Sequence, residues 1–226
     1  MTIKVCVALT ASSMRDLKSM IGKAERDGAD IMEIRMDYLQ EKPNLEDIRN
    51  STELPLIATN RIQNEGGLFQ GPEEERISML MDAASSGFNF VDVESTAKNC
   101  KRVVRRLKEF GVKTIVSHHI PSKTPSLYEI NQIFKRELDV EGDIFKIITM
   151  ARKIEDNLTC LRFLAESSKA EDVVCFCMGE LGKASRLLSP LFGSRFTYAS
   201  IGSGAESAVG QLTVAEMRRF YELLGL

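Results

Sequence analysis

The sequence has only two histidines, adjacent at 118 and 119, and its five cysteines form no CxxC pair. Neither histidine has a cysteine or carboxylate near it at ligand spacing, which argues against a metal site. An odd cysteine count scattered through apolar segments (Cys6, Cys100, Cys160, Cys175 and Cys177) points to reduced thiols rather than a disulfide framework. No apolar stretch approaches the roughly 20 residues that cross a bilayer, so no membrane association is expected. The opening MTIKVCVALTASS lacks the layout of a secretion signal, and a cytoplasmic protein is the expectation. Charge of one sign is not in excess either: 30 basic residues face 32 acidic ones, which gives nucleic acid no global attraction. With 226 residues, 27% charged and 43% hydrophobic, the chain has the composition of a globular domain.

Short β-branched runs alternate with amphipathic stretches from end to end. KVCVAL, DIMEIRM, PLIATN, FVDVES, KTIVSH, IFKIITM, VVCFCM and FTYASI read as strands. Between them MRDLKSMIGKAERDG, EEERISMLMDAASSG and KNCKRVVRRLKEFG read as helices, each closed by a glycine. In GPEEER, Pro72 and three glutamates stand where a helix start favours them. No stretch reads as a linker or tail. Eight strand–helix units in this length predict an α/β fold, a single-domain (β/α)8 TIM barrel spanning residues 1–226. A doubly wound open sheet is the alternative, but no glycine-rich turn follows the first strand, which continues ALTASS. The helix KNCKRVVRRLKEF carries Arg102, Arg105 and Arg106 opposite Val103, Val104 and Leu107, the pattern of a solvated outer face over a buried stripe.

Strand parity carries the functional signal. In DIMEIRMD, Glu33, Arg35 and Asp37 share one parity, and in FVDVES, Asp92 and Glu94 oppose Val91 and Val93. Helices cover the outside of such a barrel, so the charged parity faces the lumen. A structural ion-pair network is one reading. A polar-substrate site at the C-terminal mouth is the other, because chemistry in this fold sits there. Lys146 interrupts the apolar run DIFKIITM and shares its face with Ile148 and Met150. In a dry pocket or near other cations, a lysine amine is more readily freed to attack a ketone as a Schiff-base nucleophile. A structural or snorkelled lysine is the bland alternative. VSHHIPSKTP holds both histidines, and only one can point inward from a regular strand. From the fifth strand, about 4.8 Å from the sixth, that imidazole can approach Lys146 as a general acid and base.

Loops at the same mouth offer further polar groups. TNRIQNEGGLFQG supplies Arg61 and Glu65, MGELGKASRLL supplies Arg186 as a carboxylate clamp, and GSGAESAVGQ supplies Ser207 and Gln211 on a flexible segment. GSGAES is equally readable as a phosphate cradle.

Taken together, these segments resemble type I 3-dehydroquinate dehydratase, with the matching pieces in family order from EIRMD to the last helix. EIR resembles the substrate-contacting pair, here Glu33 and Arg35. TNR and the glutamate four places on resemble the substrate-binding Arg61 and the histidine-orienting Glu65. SHHIPSKTP resembles the run that makes His119 the catalytic histidine and leaves His118 at a variable position. FKIITM resembles the strand of the Schiff-base lysine, Lys146. SRLLSPLFGS is similar to the motif of the carboxylate-binding Arg186, and ESAVGQLT to the lid that supplies Ser207 and Gln211. Ile120 and Pro121 stand where relatives place an acidic or amide residue and an aromatic, and Val209 stands where proline is common. The resemblance implies dehydration of 3-dehydroquinate to 3-dehydroshikimate in the shikimate pathway, by a homodimer needing no metal or organic cofactor. A Schiff-base aldolase gripping a sugar phosphate through GSGAES, and a non-catalytic scaffold barrel, are the rival expectations.

Overall fold

In a computed structural model, residues 3–202 and 207–226 are described. Eight parallel strands run in the order β7-β6-β5-β4-β3-β2-β1-β8. They are β1 (Val5–Leu9), β2 (Ile31–Arg35), β3 (Leu56–Thr59), β4 (Phe90–Glu94), β5 (Lys113–His119), β6 (Ile144–Met150), β7 (Val173–Met178) and β8 (Thr197–Ala199). The helices between and after them are α1 (Met14–Arg26), α2 (Leu45–Arg49), α3 (Glu73–Ser85), α4 (Cys100–Lys108), α5 (Leu127–Leu138), α6 (Asp156–Ser167), α7 (Lys183–Leu188) and α8 (Val214–Leu223). The last seam is the thinnest. β7 and β8 form no ladder, and Val173 is bridged to Ser194 just before β8 while accepting the Arg195 N–H at 2.8 Å. The result is a nearly closed (β/α)8 TIM barrel.

Sequence punctuation sets most boundaries. Ser13 caps α1, and Ser126 and Thr213 open α5 and α8 with full capping boxes through Glu129 and Glu216. Helices α1, α3 and α4 stop within three residues of Gly28, Gly87 and Gly111. Along α4, Val103, Val104 and Leu107 are buried, while Lys101, Arg105 and Lys108 on the outer face pair with Glu141 or Asp143. Two of the helices are short. α2 has five residues, and α7 has six before a 3₁₀ turn at Ser189–Phe192.

Strand alternation divides the apolar interior in two. One cluster lies between strands and helices and includes Val5, Val7, Met32, Ile34, Val91, Val93 and Ile147. A second fills the lumen with Cys6, Ile31, Ile57, Ile115, Ile144, Val174 and Phe196, and continues toward the mouth with Ile148, Phe176 and Tyr198. Each fully buried Ile, Val or Phe contributes about 1.5–3 kcal/mol of transfer free energy. The polar lumen residues follow two places after those isoleucines: Glu33 after Ile31, Thr59 after Ile57, Ser117 after Ile115 and Lys146 after Ile144. The floor is therefore an apolar plug, and the chemistry-bearing side chains stand on it near the C-terminal mouth.

Asp37 departs from the sequence expectation. β2 ends at Arg35, and Met36–Tyr38 form a 3₁₀ turn that takes Asp37 off the strand parity. Its carboxylate grips Arg35 in a bidentate pair at 2.8 and 2.7 Å and accepts the Leu68 N–H at 3.0 Å. Asp37 thus braces a mouth arginine instead of lining the lumen as part of β2.

Candidate active site

Lys146 projects into the lumen from the middle of β6 and is only 3% exposed. Its Nζ donates to Asp92 Oδ2 at 2.9 Å, Tyr198 OH at 3.0 Å and Glu33 Oε1 at 3.3 Å. The three ammonium hydrogens therefore have three acceptors. The sequence expectation of a lysine in a merely dry or cationic pocket is corrected here, because two carboxylates hold it. A buried charge with aligned partners avoids most of the desolvation penalty that an isolated one would incur.

His119 ends β5 on the inward parity of Ile115 and Ser117, and lines the same cavity as Lys146. The β5–β6 register pairs Ser117 with Lys146 and His119 with Ile148, so the imidazole sits two residues nearer the mouth. His118 takes the opposite parity, where its Nδ1 meets Ser95 Oγ at 3.2 Å. Burial pushes His119 well below the usual histidine range, and the nearby Arg61 and Lys146 cations push it further. Glu65 Oε2 accepts the His119 backbone N–H at 2.9 Å and lies 3.4 Å from Nδ1, out of line for a hydrogen bond, so Nδ1 has no hydrogen-bond partner among the described residues. The other Glu65 oxygen accepts from Thr96 Oγ1 at 2.8 Å. Glu65 thus ties the end of β5 to the loop after β4. Its own carboxyl is raised by burial, which outweighs the opposing pull of Arg61. The loop can deliver Glu65 because Gly66 adopts φ of +83° and a Cβ on Gly67 would lie 2.0 Å from the Arg61 carbonyl oxygen.

The charged strand parity forms a continuous network. Arg61 bonds Asp92 at 2.7 Å, Glu94 at 2.9 Å and Ser117 Oγ at 2.7 Å. Ser117 in turn donates to Asp92 at 2.6 Å, and Arg76 from α3 reaches Glu94 from behind. Burial works to raise Asp92, but Arg61 and Lys146 outweigh it and hold the carboxyl far below its ordinary value. Glu33 accepts Thr59 Oγ1 at 2.6 Å besides Lys146. Arg61 lines the cavity, yet its hydrogen bonds go to protein groups. Arg35 stacks on Tyr38 with its guanidinium 4.8 Å from the ring centroid.

Arg186 is the exception to this pairing. It is fully buried on α7 and lies 4.4 Å over the Phe176 ring, with Nε and Nη2 lacking hydrogen-bond partners and no carboxylate paired to it among the described residues. Burial pulls the guanidinium down to about 10. It borders the same cavity as Lys146 and His119. Ser207 and Gln211 border the cavity too and bond each other, Ser207 N–H to Gln211 Oε1 at 2.8 Å and Gln211 Nε2 to Ser207 Oγ at 2.9 Å. Residues 203–206, and with them most of the phosphate cradle suggested for GSGAES, lie outside the described residues.

All nine residues singled out in the sequence (Glu33, Arg35, Arg61, Glu65, His119, Lys146, Arg186, Ser207 and Gln211) border this one cavity. Strand parity in the sequence puts Asp92 and Glu94 on the charged face without giving them a part, and does not single out Ser117 or Tyr198. For Ser117 the signal was available, since it shares the parity of His119. For Tyr198 there was only a tyrosine in a short strand. A larger groove of about 570 Å³ runs outside the barrel between α3 and α4, against about 90 Å³ at the mouth. Size favours the groove, but it is lined by surface glutamates, lysine and arginines, whereas the mouth collects buried charge and a nucleophile.

Comparisons with known proteins point the same way. Residues 5–226 match the family model described as Type I 3-dehydroquinase. The chain is 40% identical to the 3-dehydroquinate dehydratase of Dehalococcoides mccartyi over 195 residues, 86% of each chain. It is 38% identical to that of Methanothermobacter thermautotrophicus over 221 residues, 97% of this chain and 96% of the relative. The solved 3-dehydroquinate dehydratase of Geobacillus kaustophilus superposes with a TM-score of 0.92 at 26% identity, covering 99% of this chain and 91% of that one. The type I enzyme of Clostridium difficile, solved with covalently modified comenic acid, gives 0.90 at 25%, covering 98% and 92%. This protein belongs to the type I 3-dehydroquinase family.

Proposed function

We propose that this protein is a hydro-lyase that converts 3-dehydroquinate to 3-dehydroshikimate through an imine on Lys146. Family membership supports the reaction. The observation that carries the assignment of parts is the buried, unpaired Arg186 guanidinium in the wall of the cavity that holds Lys146 and His119. An anionic carboxylate is the ligand that such a cation lacks.

For attack, the Lys146 ammonium first yields a proton, and the neutral imidazole of His119 takes it. The free amine adds to the ring ketone. His119 returns the proton to the resulting hydroxyl, which leaves as water, and a C=N⁺ bond forms. That cation withdraws electrons from the adjacent carbon, so His119 removes its proton to give an enamine. Collapse of the enamine expels the neighbouring hydroxyl, which His119 protonates as it departs. Water then hydrolyses the conjugated imine and restores Lys146. The net change is loss of one water, and the lysine itself is the electron sink. Glu65 orients the segment that carries His119. Arg186 and Gln211 hold the substrate carboxylate, while Glu33, Arg35, Arg61 and Ser207 hold hydroxyls.

Dehydroquinate added to the purified protein should develop the ultraviolet absorbance of a conjugated enone, and borohydride should then fix a covalent adduct on Lys146. Lys146→Ala abolishes both, and a variant that kept wild-type turnover would refute the assignment. His119→Ala slows the trapping as well, without abolishing it, and slows elimination about 10²-fold or more. We propose with this reading a homodimer working in the shikimate pathway in the cytoplasm. A light-scattering mass of one chain would remove the dimer.

A further inference from the structure

Among the described residues Tyr198 is the one neutral partner of Lys146. It sits on β8, with β7 between it and β6 around the barrel, and its backbone pairs with Cys6 in the β1–β8 register. The ring is buried and packed edgewise on Phe196 at 5.6 Å and tilted against Phe176 at 6.0 Å, so its hydroxyl has a fixed place. That hydroxyl accepts from Nζ at 3.0 Å, and the ring centroid lies 4.8 Å from the same nitrogen.

The other two partners, Asp92 and Glu33, are carboxylates. When Lys146 loses its proton, two N–H bonds and a lone pair remain to be placed. A phenol can still accept one N–H with little dependence on the nitrogen's charge. With Asp92 at 2.9 Å accepting the other, the lone pair takes the third direction, the one the ammonium gives to Glu33 on the cavity wall at 3.3 Å, the longest of the three contacts. We propose that Tyr198 is a positioning residue for Lys146, holding one N–H through its hydroxyl so that the lone pair of the free amine is turned to the Glu33 side of the cavity, where the ketone replaces Glu33 as its neighbour. This inference rests on the dehydratase reading of the cavity.

Tyr198→Phe keeps the ring and its packing and removes only the hydroxyl. Its kcat should fall about tenfold with KM within twofold, because the loss is a transition-state interaction of about 1.4 kcal/mol and not substrate binding. A second readout needs no substrate. Acetylation of Lys146 by acetic anhydride at pH 8, followed by peptide mapping against surface lysines, should fall severalfold in Tyr198→Phe, since the lone pair of the free amine is no longer held toward the cavity. An unchanged kcat, or a lower kcat with unchanged acetylation of Lys146, would overturn the positioning role. If the wild-type protein itself fails to turn over dehydroquinate, the dehydratase reading falls, while acetylation still reports whether Tyr198 grips the amine.

Discussion

Burial alone would drive both His119 and Asp92 toward their neutral forms, and their neighbours decide which of them follows. The cations Arg61 and Lys146 reinforce burial at His119 and oppose it at Asp92, so the imidazole is neutral and the carboxylate charged in the same cavity. That division suits a base beside an ion-paired lysine. The sequence contains only two histidines, and burial followed by Arg136 also lowers His118, by less. Imidazole proton resonances followed by nuclear magnetic resonance should therefore show both midpoints below 6.5, with His119 the lower. A His119 midpoint at or above 6.5 would contradict the electrostatics of the mouth. Removing Arg61 would move that midpoint upward, because a repelling cation is gone.

Helix α5 carries a second consequence of burial, on the outer side of the barrel wall. Glu137 has no exposed surface, and neither carboxylate oxygen has an aligned hydrogen bond among the described residues, the Ser95 hydroxyl being its first polar neighbour. Burial holds its carboxyl well above the usual 4.5, and nearby Glu65 and Asp92 add to the effect. The folded state therefore keeps a proton that the unfolded chain gives up. Above 4.5 the unfolded state binds fewer protons than the folded one, so this residue's contribution to stability falls as pH rises, until the folded carboxyl also ionises. Urea titrations should show wild-type stability declining relative to Glu137→Gln by about 1.4 kcal/mol for each pH unit across that window. Parallel curves would show that Glu137 has found a partner. No sequence pattern signals this residue, since a glutamate in KREL reads as part of a solvated helix end. Strand elements were far more legible. The period of two in EIRMD and FVDVE assigned Glu33, Asp92 and Glu94 to the lumen, and failed at Asp37, where a 3₁₀ turn replaced the strand.

Across the whole molecule, eight strand–helix units were readable because each local signal agreed with the next: a capping residue, an apolar stripe, a glycine stop and a β-branched run. What was not readable was pairing between distant strands. Lys146 and Tyr198 are 52 positions apart, and Lys146 and Glu33 are 113 apart, so only closure of the barrel brings them together. The family resemblance supplied the nine cavity residues, but it gave no part to Asp92, Ser117 or Tyr198, whose contacts depend on register across the lumen. Nearly every charge at the mouth is matched there by an opposite one. Among the described residues Arg186 has no such match.

That mismatch makes the idle enzyme its own least stable form. Any small carboxylate that reaches the guanidinium binds the native chain alone and raises its melting temperature by mass action. Acetate or citrate in a storage buffer would thus act as an unintended competitive inhibitor, one to which Arg186→Met is indifferent.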